Sequence, residues 1–409
     1  MFRARLLHPT SREPIDDVLA ACFPGPHSYT GDDLVEISTH GGLVAPAAAL
    51  AALVAAGARP AQPGEFTRRA VLNGKLDILQ AEATGDLIES SSRAAQRTAL
   101  QQLDGGLSRR VLALRDATVR LEALIAYDID FPEEDDGPIP AGRILVAADE
   151  LIRDLETLEG TARAGELVRD GALVVLAGAP NVGKSSLFNA LIGQNRAIVT
   201  DIPGTTRDAI EAVIDTPALP IRLVDTAGLR DTRDPVERLG VEVSAAYLTR
   251  ASVVLVCGDD AASLKQGFAA TNGRTTATRI AVRTKADLTA RGDASNPEQI
   301  DGRAAIWVSA ETGEGLDELV SAIVTATAGD SGLLEPDAPL LTRERHRYAV
   351  GRALAEVRAF RERWAAGDLP STVAGVHLRE ATTALEDLIG AVDVEDVLDE
   401  LFRRFCVGK

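Results

Sequence analysis

Hydrophobic and polar positions follow different patterns along the 409 residues of the chain. In residues 1–79, Gly and Pro residues separate short strand-like runs such as Leu34–Ile37. This pattern is typical of a small α+β domain. Apolar residues recur at spacings of three, four and seven in residues 80–170 and again in residues 329–409, which predicts amphipathic helices. The positions that carry this spacing are Leu107, Val111, Leu114, Leu121 and Ile125 in the first stretch, and Leu354, Val357, Phe360, Trp364, Leu378, Ala381, Leu385, Leu388, Val392, Val394, Val397, Leu401 and Phe405 in the second.

Residues 171–328 differ from both flanks, because strand-like and helix-like segments alternate there and predict a parallel sheet with crossover helices. The strand candidates are Leu173–Ala177, Ile221–Val224, Val253–Cys257, Ile280–Arg283 and Ile306–Val308. We therefore predict a multidomain protein: an N-terminal α+β domain (1–79), an all-α helical domain formed from two chain segments (80–170 and 329–409), and an α/β domain (171–328) inserted between them. Three consecutive domains are the alternative that the pattern leaves open.

Composition narrows the class of protein and its compartment. Apolar residues make up 45% and charged residues 25% of the chain, and we find neither an apolar run of 18 residues nor a secretory signal, so we predict a cytoplasmic protein without a membrane partner. Three widely spaced cysteines, Cys22, Cys257 and Cys406, indicate a reducing compartment. A net charge of −18 argues against broad nucleic-acid binding, so an RNA partner is expected to use a local patch or a second protein.

Gly178–Ser185 matches the phosphate-binding motif G-x-x-x-x-G-K-[ST] and lies between a strand-like and a helix-like segment. Its glycines let successive N–H groups wrap around phosphate oxygens. Lys184 adds a cation toward the β- and γ-phosphates, and the Ser185 hydroxyl is a predicted Mg²⁺ ligand. Such a match arises by chance in on the order of one chain in a hundred of this length, so it does not decide the class alone.

Further motifs follow in the order of a P-loop GTPase. Asp225–Gly228 fits D-x-x-G, whose Asp holds Mg²⁺ through water and whose Gly N–H meets the γ-phosphate. Thr206 lies in a candidate switch segment and can complete the Mg²⁺ shell. Thr284–Asp287 resembles N-K-x-D, in which Asp287 accepts hydrogen bonds from the N1–H and 2-amino group of guanine. Ser309–Ala310 follows the last strand candidate and completes the predicted base pocket. Five ordered motifs make coincidence negligible, so the inserted domain is predicted to be a P-loop GTPase domain.

The predicted GTP-binding residues come from the P-loop, the switch segment, D-x-x-G and the two base-recognition loops. They are Asn181, Val182, Gly183, Lys184, Ser185, Ser186, Thr200, Asp201, Ile202, Pro203, Gly204, Thr205, Thr206, Asp225, Thr226, Ala227, Gly228, Thr284, Lys285, Ala286, Asp287, Ser309, Ala310 and Glu311.

Two departures from the general pattern affect binding and catalysis. Thr284 replaces the usual Asn and offers only a hydroxyl, so we expect retained guanine selectivity but looser binding. Leu229 stands where Ras-type enzymes place a water-orienting Gln, so another group must orient the water and another cation must replace an arginine finger. The candidates are Arg230, Arg233, Glu237 and Arg238, although each of them, taken by itself, is better explained as a solvated loop charge.

Several segments together resemble the MnmE (also TrmE) family of tRNA-modification GTPases. These segments are Phe23–Asp33, Pro63–Thr67, Leu72–Asp77, Asp201–Asp208, Asp225–Arg230 and the tail Phe405–Lys409. The resemblance implies GTP hydrolysis that drives modification of C5 of the wobble uridine in certain tRNAs to carboxymethylaminomethyl- or aminomethyl-uridine. It also implies a flavin- and NADH-using partner, MnmG, in a heterotetramer with two copies of each subunit.

The same resemblance implies a catalytic arrangement. Members form homodimers through the N-terminal domain, their G domains approach each other during turnover, and K⁺ replaces the arginine finger. The implied K⁺ ligands are Asn181, Thr200, Ile202 and Thr205. The implied catalytic residues are Lys184, Glu237, which orients the attacking water, and Cys406, whose tail reaches the modification centre.

The resemblance further implies a 5-formyltetrahydrofolate site with Glu36, Lys75 and Lys409. Members usually begin with a longer Gly-rich segment, so we expect the N-terminal domain to lack its first elements. Two other functions stay open: an Era-type ribosome-assembly switch, which predicts a basic RNA-binding appendage, and a scaffold that dimerises on GTP. The tail and the N-terminal segments favour the tRNA-modifying enzyme.

Overall fold

The computed structural model describes residues 1–130, 141–194, 197–198, 210–225, 246–288, 299–300, 302–328, 338–367 and 371–390. The strands are β1 (Phe2–Leu7), β2 (Pro14–Phe23), β3 (Leu34–Ser38), β4 (Ala172–Ala177), β5 (Ala197–Ile198), β6 (Ile210–Ile214), β7 (Ile221–Asp225), β8 (Val253–Gly258), β9 (Thr278–Arg283), β10 (Gln299–Ile300), β11 (Arg303–Ala304) and β12 (Ile306–Trp307). The helices are α1 (Val44–Ala55), α2 (Glu65–Leu72), α3 (Ile78–Glu89), α4 (Arg93–Leu103), α5 (Gly106–Asp130), α6 (Ala141–Glu159), α7 (Ala162–Asp170), α8 (Lys184–Gln194), α9 (Ala261–Thr271), α10 (Leu316–Ala328), α11 (Glu344–Ala366) and α12 (Ser371–Ile389).

The chain forms two compact units. One contains residues 1–85, residues 102–155 and the segment from Ala349 onward, and the other contains residues 86–101 and 156–348. This grouping by contacts differs from the predicted domain boundaries, which stay a prediction. No helix in the described ranges combines the length and the apolar character that a membrane crossing requires.

The first unit begins with a three-stranded antiparallel sheet in the order β1-β2-β3. Strand β2 alternates apolar residues toward one face, where Val18 and Ala20 are buried with Ala49 and Ala52 of α1. This arrangement confirms the predicted α+β character of the N-terminal region, including the strand that contains Leu34–Ile37.

Helices α5 and α12 pack against each other in the same unit. The spacing predicted for α5 is correct, since Leu107, Val111 and Leu114 are each almost fully buried. Two charged pairs join the helices: Arg115 Nε donates to Glu386 Oε1 at 2.6 Å, and Arg379 Nε donates to Glu122 Oε1 at 2.9 Å. Because α5 precedes and α12 follows the α/β region, the helical domain is formed from two chain segments, as predicted.

The second unit contains a seven-stranded sheet in the order β12-β9-β8-β4-β7-β6-β5. The five strands from β12 to β7 are parallel, and all five predicted strand segments are confirmed. The sheet is nevertheless mixed and not wholly parallel, since β6 pairs antiparallel with β7 and with β5. The six-residue connection from β6 to β7 is too short for a parallel crossover, which explains this correction.

Helices cover both faces of this sheet. Val174 and Leu176 of β4 pack in one core with Phe188 of α8, whereas Val175 packs in a second core with Phe268 of α9. Strands buried on both faces read as continuous apolar runs, as β4 does. The carboxyl ends of the parallel strands therefore meet at one edge, where ligands bind in open α/β sheets.

Helices α4 and α7 also belong to this second unit. The Arg93 N–H at the start of α4 donates to Asp215 Oδ1 at 3.1 Å, beside the β6–β7 connection. Asp86 accepts hydrogen bonds from Arg169 Nε at 3.0 Å and from Arg343 Nη2 at 2.7 Å. Asp86, Arg169 and Arg343 all belong to the second unit, so these contacts lie within it.

Candidate nucleotide-binding site

The loop after β4 has the backbone shape of a phosphate-binding loop. Gly178, Asn181 and Gly183 have positive φ values of 145°, 62° and 96°. A turn with left-handed residues directs successive N–H groups toward a common point, which suits phosphate oxygens. Helix α8 begins directly after it at Lys184, so the positive end of its dipole faces the same point.

The Lys184 side chain crosses this loop. Its Nζ atom donates to the carbonyl oxygens of Gly178 at 3.1 Å and of Ala179 at 2.8 Å, and the residue is 7% exposed. A cation held in this position stabilises negative charge on the phosphates that the loop binds.

Ser185 and Asp225 form the described part of the predicted Mg²⁺ site. The Ser185 hydroxyl donates to Asp225 Oδ2 at 2.7 Å, and Asp225 is almost fully buried at the end of β7. Oxygen donors of this kind are what Mg²⁺ prefers, so the two residues fit that ion. Among the described residues there is no group of three or more His, Cys, Asp and Glu side chains that could hold a metal.

The predicted guanine-recognition loop follows β9 and contacts the P-loop. The Thr284 hydroxyl lies within hydrogen-bonding distance of the carbonyl oxygens of Val182 and Gly258. Thr284 therefore keeps a polar connection to the P-loop although it replaces Asn. The looser nucleotide binding expected from this replacement stays a prediction.

Asp287 lies beside the second base-recognition loop. The buried Ser309 hydroxyl is 2.6 Å from Asp287 Oδ1 and donates to that carboxylate. The Ala286 N–H donates to the Val308 carbonyl at 3.1 Å, which ties the two loops together. Asp287 is exposed, and Ala310 and Glu311 follow Ser309 toward solvent. The arrangement leaves the Asp287 carboxylate oriented and accessible, as recognition of a guanine edge requires.

The structure brings together the predicted P-loop and base-loop residues, including Ser186 in the first turn of α8. Other predicted site residues lie outside the described residues. They are Thr200, Asp201, Ile202, Pro203, Gly204, Thr205, Thr206, Thr226, Ala227, Gly228, Leu229, Arg230, Arg233, Glu237, Arg238, Cys406 and Lys409.

Two predicted folate residues are described in the first unit. Glu36 is exposed on β3. Lys75 is exposed as well, and its Nζ atom donates to the Pro26 carbonyl at 2.9 Å. Lys75 contacts the segment that joins β2 to β3, and Glu36 lies in the strand that follows this segment. The side chains of both residues are exposed.

The sequence motifs do not include Asp259, which lies directly after β8 and pairs with Lys285 at 2.9 Å. Its position at the carboxyl end of a parallel strand was the available signal. Cys257, in β8, is a buried free thiol. Burial raises its pKa to about 12, so it stays protonated and unreactive.

The site combines the phosphate-binding loop after β4 with the accessible Asp287 in the loop after β9 of the same mixed sheet. This combination defines a P-loop GTP hydrolase. A family model described as the MnmE helical domain matches residues 78–406, and one described as the GTP-binding protein TrmE N-terminus matches residues 1–75. The chain belongs to the MnmE family of tRNA modification GTPases.

Curated relatives match along nearly the whole chain. The tRNA modification GTPase MnmE of Aquifex aeolicus is 38% identical over 405 residues, which cover 99% of this chain and 89% of that protein. The protein of the same name from Heliobacterium modesticaldum is 41% identical over 414 residues, covering 99% and 88%. The one from Azoarcus sp. is 42% identical over 398 residues, covering 97% and 86%.

A solved structure of the G domain of the T. maritima FeoB iron transporter is 28% identical and covers 38% of this chain and 98% of that chain, with a TM-score of 0.31. This score is low, so the fold class rests on the strand order, the loop geometry and the family match.

Proposed function

We propose that this GTP hydrolase drives modification of C5 of the wobble uridine in certain tRNAs, giving carboxymethylaminomethyl- or aminomethyl-uridine. It acts with a flavin- and NADH-using partner of the MnmG type, in a complex with two copies of each. The observation that carries the proposal is that similarity to the MnmE family extends through both flanks of the α/β domain. An Era-type ribosome-assembly switch would share only the α/β domain and predicts a basic RNA-binding appendage in place of those flanks.

The described residues support the following proposal for how the chain holds GTP. The P-loop N–H groups and Lys184 bind the phosphates, and Asp287 accepts hydrogen bonds from guanine. Ser185 and Asp225 would hold Mg²⁺ with the Ser185 hydroxyl and the Asp225 carboxylate, which lie 2.7 Å apart. When bound, Mg²⁺ offsets the negative charge of the β- and γ-phosphates.

Hydrolysis needs a water-orienting group and a cation besides these residues, because Leu229 supplies neither. We assign the first role to Glu237. K⁺ would take the second role, with Asn181, Thr200, Ile202 and Thr205 as the residues that would hold it. Hydrolysis would be activated when the α/β domains of two copies approach each other. The positive φ of Asn181 supports its part, since it places this residue at a turn of the P-loop.

GTP hydrolysis in KCl and in NaCl, at equal ionic strength, tests the role of K⁺. We expect faster turnover in KCl for the parent protein and equal rates in both salts for Asn181→Ala. Asn272→Ala, at the C-cap of α9, is the matched control and should keep the preference for KCl. Equal hydrolysis rates for the parent protein in the two salts would show that K⁺ has no role in catalysis. The assignment of the chain as a GTP hydrolase would not be affected.

A homodimer through the N-terminal domain is supported by the surface of α1. Every residue of this helix is apolar. The exposed fractions are 80% for Val44 and 55% for Leu50, and Leu43, which precedes the helix, is 93% exposed. Contiguous exposed apolar patches mark interaction surfaces. Light scattering is expected to give twice the 43.1 kDa chain mass for the parent protein and a lower mass for Leu50→Glu. A parent protein at the monomer mass would contradict the dimer.

The one-carbon donor of the reaction is proposed to be 5-formyltetrahydrofolate. Exposed Glu36 can bond the donor edge of the pterin, and Lys75 and Lys409 suit the carboxylates of the glutamate tail. The contact of Lys75 with the Pro26 carbonyl supports this proposal, because Pro26 belongs to the segment that leads into β3, the strand that contains Glu36.

A further inference from the structure

The Lys285 ammonium group joins three parts of the nucleotide site. Its Nζ atom donates to the backbone carbonyl of Asn181 at 3.0 Å and to Asp259 Oδ2 at 2.9 Å. Asn181 belongs to the P-loop, which follows β4, and Lys285 belongs to the base-recognition loop, which follows β9. Asp259 follows β8, the strand that lies between β4 and β9 in the sheet. Lys285 itself has a φ of 55°, a backbone conformation that ordinary residues rarely adopt.

The position of Asp259 is fixed by its neighbours in the chain. Asp260 caps α9 by accepting from the Ser263 N–H at 2.6 Å, and the Ser263 hydroxyl is 2.8 Å from the Asp260 carbonyl. The preceding Gly258 is packed so closely that an added Cβ would lie 2.6 Å from Ser263 Oγ. The Gly258 carbonyl in turn accepts from the Thr284 N–H at 2.9 Å. The turn that carries Asp259 is therefore anchored to α9 and to the base-recognition loop.

We propose that Asp259 is a positioning residue for nucleotide binding: its carboxylate holds Lys285 on the carbonyl of Asn181 and so fixes the P-loop in its phosphate-binding shape. When a loop already has its binding conformation, ordering it costs less free energy on binding, and the nucleotide therefore binds more tightly. Asp259 acts through Lys285 and does not itself touch the nucleotide.

The strength of the Lys285–Asp259 pair sets the size of the expected effect. The hydrogen bond from Lys285 holds the pKa of Asp259 below its usual value, so the carboxylate is charged at neutral pH. The two side chains are 39% and 37% exposed, which means that water screens their attraction. A pair of this kind changes an equilibrium constant by about fivefold at most.

The test is the dissociation constant of fluorescently labelled GDP, measured in NaCl with the whole chain. Asp259→Asn keeps the shape of the side chain and removes its charge, and we expect binding to weaken by about three- to fivefold. Asp260→Asn is the matched control: it removes the neighbouring charge, but Asn caps helices as well as Asp, so binding should stay within about twofold. Because no K⁺ is present, the result is independent of the proposed role of that ion.

Two further readouts separate positioning from a general loss of stability. The KM for GTP should rise in Asp259→Asn while kcat at saturation and the melting temperature stay near the parent values. In a Lys285→Met background, Asp259→Asn should cause no additional loss, because the two residues act as one unit. Unchanged GDP affinity in Asp259→Asn, an equal loss in Asp260→Asn, or an undiminished loss in the Lys285→Met background would overturn the proposal.

Discussion

The backbone at Gly178 shows how one residue determines the shape of the phosphate-binding loop. Its φ is 145°, and an added Cβ would lie 2.3 Å from the Cys257 carbonyl oxygen of the neighbouring strand. We expect Gly178→Ala to lose about 2–3 kcal/mol of unfolding free energy and to abolish nucleotide binding, since both the φ value and the contact become unfavourable.

Gly193→Ala is the control for this change, because Gly193 lies in α8 with no heavy atom within 4 Å of an added Cβ. Alanine is the better helix former there by about 0.5–1 kcal/mol, so this variant should be at least as stable as the parent protein. Urea unfolding measures both variants. A Gly178→Ala protein with parental stability would show that the loop can move away from Cys257.

Thr284 gives a second prediction at the residue scale. Its hydroxyl reaches the Val182 and Gly258 carbonyls, whereas the amide of Asn has two polar ends. We expect Thr284→Asn to bind GDP more tightly than the parent, and Thr284→Val to bind it about tenfold more weakly, because an unpaired buried carbonyl costs about 1–3 kcal/mol. Titrations with GDP measure the three dissociation constants. Equal affinities in all three proteins would show that the Thr284 side chain does not affect nucleotide binding.

Individual residues differ in how far the sequence predicts their role. Lys184, Ser185 and Asp287 were predicted, because a motif with fixed spacing specifies them. Asp259 was not, since no motif contains it and its partner Lys285 is 26 residues away in the chain. Its role depends on two loops meeting in space at the sheet edge, which local sequence patterns do not encode.

Glu65 gives a prediction at the scale of a helix, because it organises the start of α2. Its carboxylate accepts from Arg59 Nη1 at 2.9 Å, from Arg69 Nη2 at 2.7 Å and from the Gln62 N–H at 2.9 Å. These bonds, chiefly the one from Arg59, lower its pKa from 4.5 to about 2. The stabilisation is therefore fully present above pH 4.5 and is lost as the pH falls toward 2.

Glu65→Gln should accordingly be less stable than the parent protein at pH 7. The difference in unfolding free energy should shrink between pH 4.5 and pH 2, where the parent carboxylate becomes protonated. Urea unfolding at pH 7, 4.5 and 3 measures the difference, and a difference that does not depend on pH would assign the effect to packing and not to charge.

Elements with a strong, long periodicity were predicted well. Helix α5 extends over 25 residues, and its buried face agrees with the predicted spacing. Strand β6 was not predicted, because Ile210–Ile214 is short and its sequence pattern does not distinguish it from the switch segment before it. Its antiparallel pairing with β7 follows from a short connection, and this is why the predicted parallel sheet became a mixed one.

At the scale of the whole molecule, the α/β domain interrupts the helical domain. Helices α5 and α12 lie on either side of it in sequence and pack together in one unit. The flanks, and not the GTPase motifs, separate this chain from other P-loop GTPases, since the family models match residues 1–75 and 78–406.

The central claim is that GTP hydrolysis by this chain serves the modification of wobble uridines. The most direct test is mass spectrometry of tRNA nucleosides from cells that lack the chain and from the same cells carrying either the parent protein or Lys184→Ala. We predict that C5-modified wobble uridines disappear on deletion, return with the parent protein and do not return with Lys184→Ala. Unchanged modification in cells that lack the chain would contradict the account.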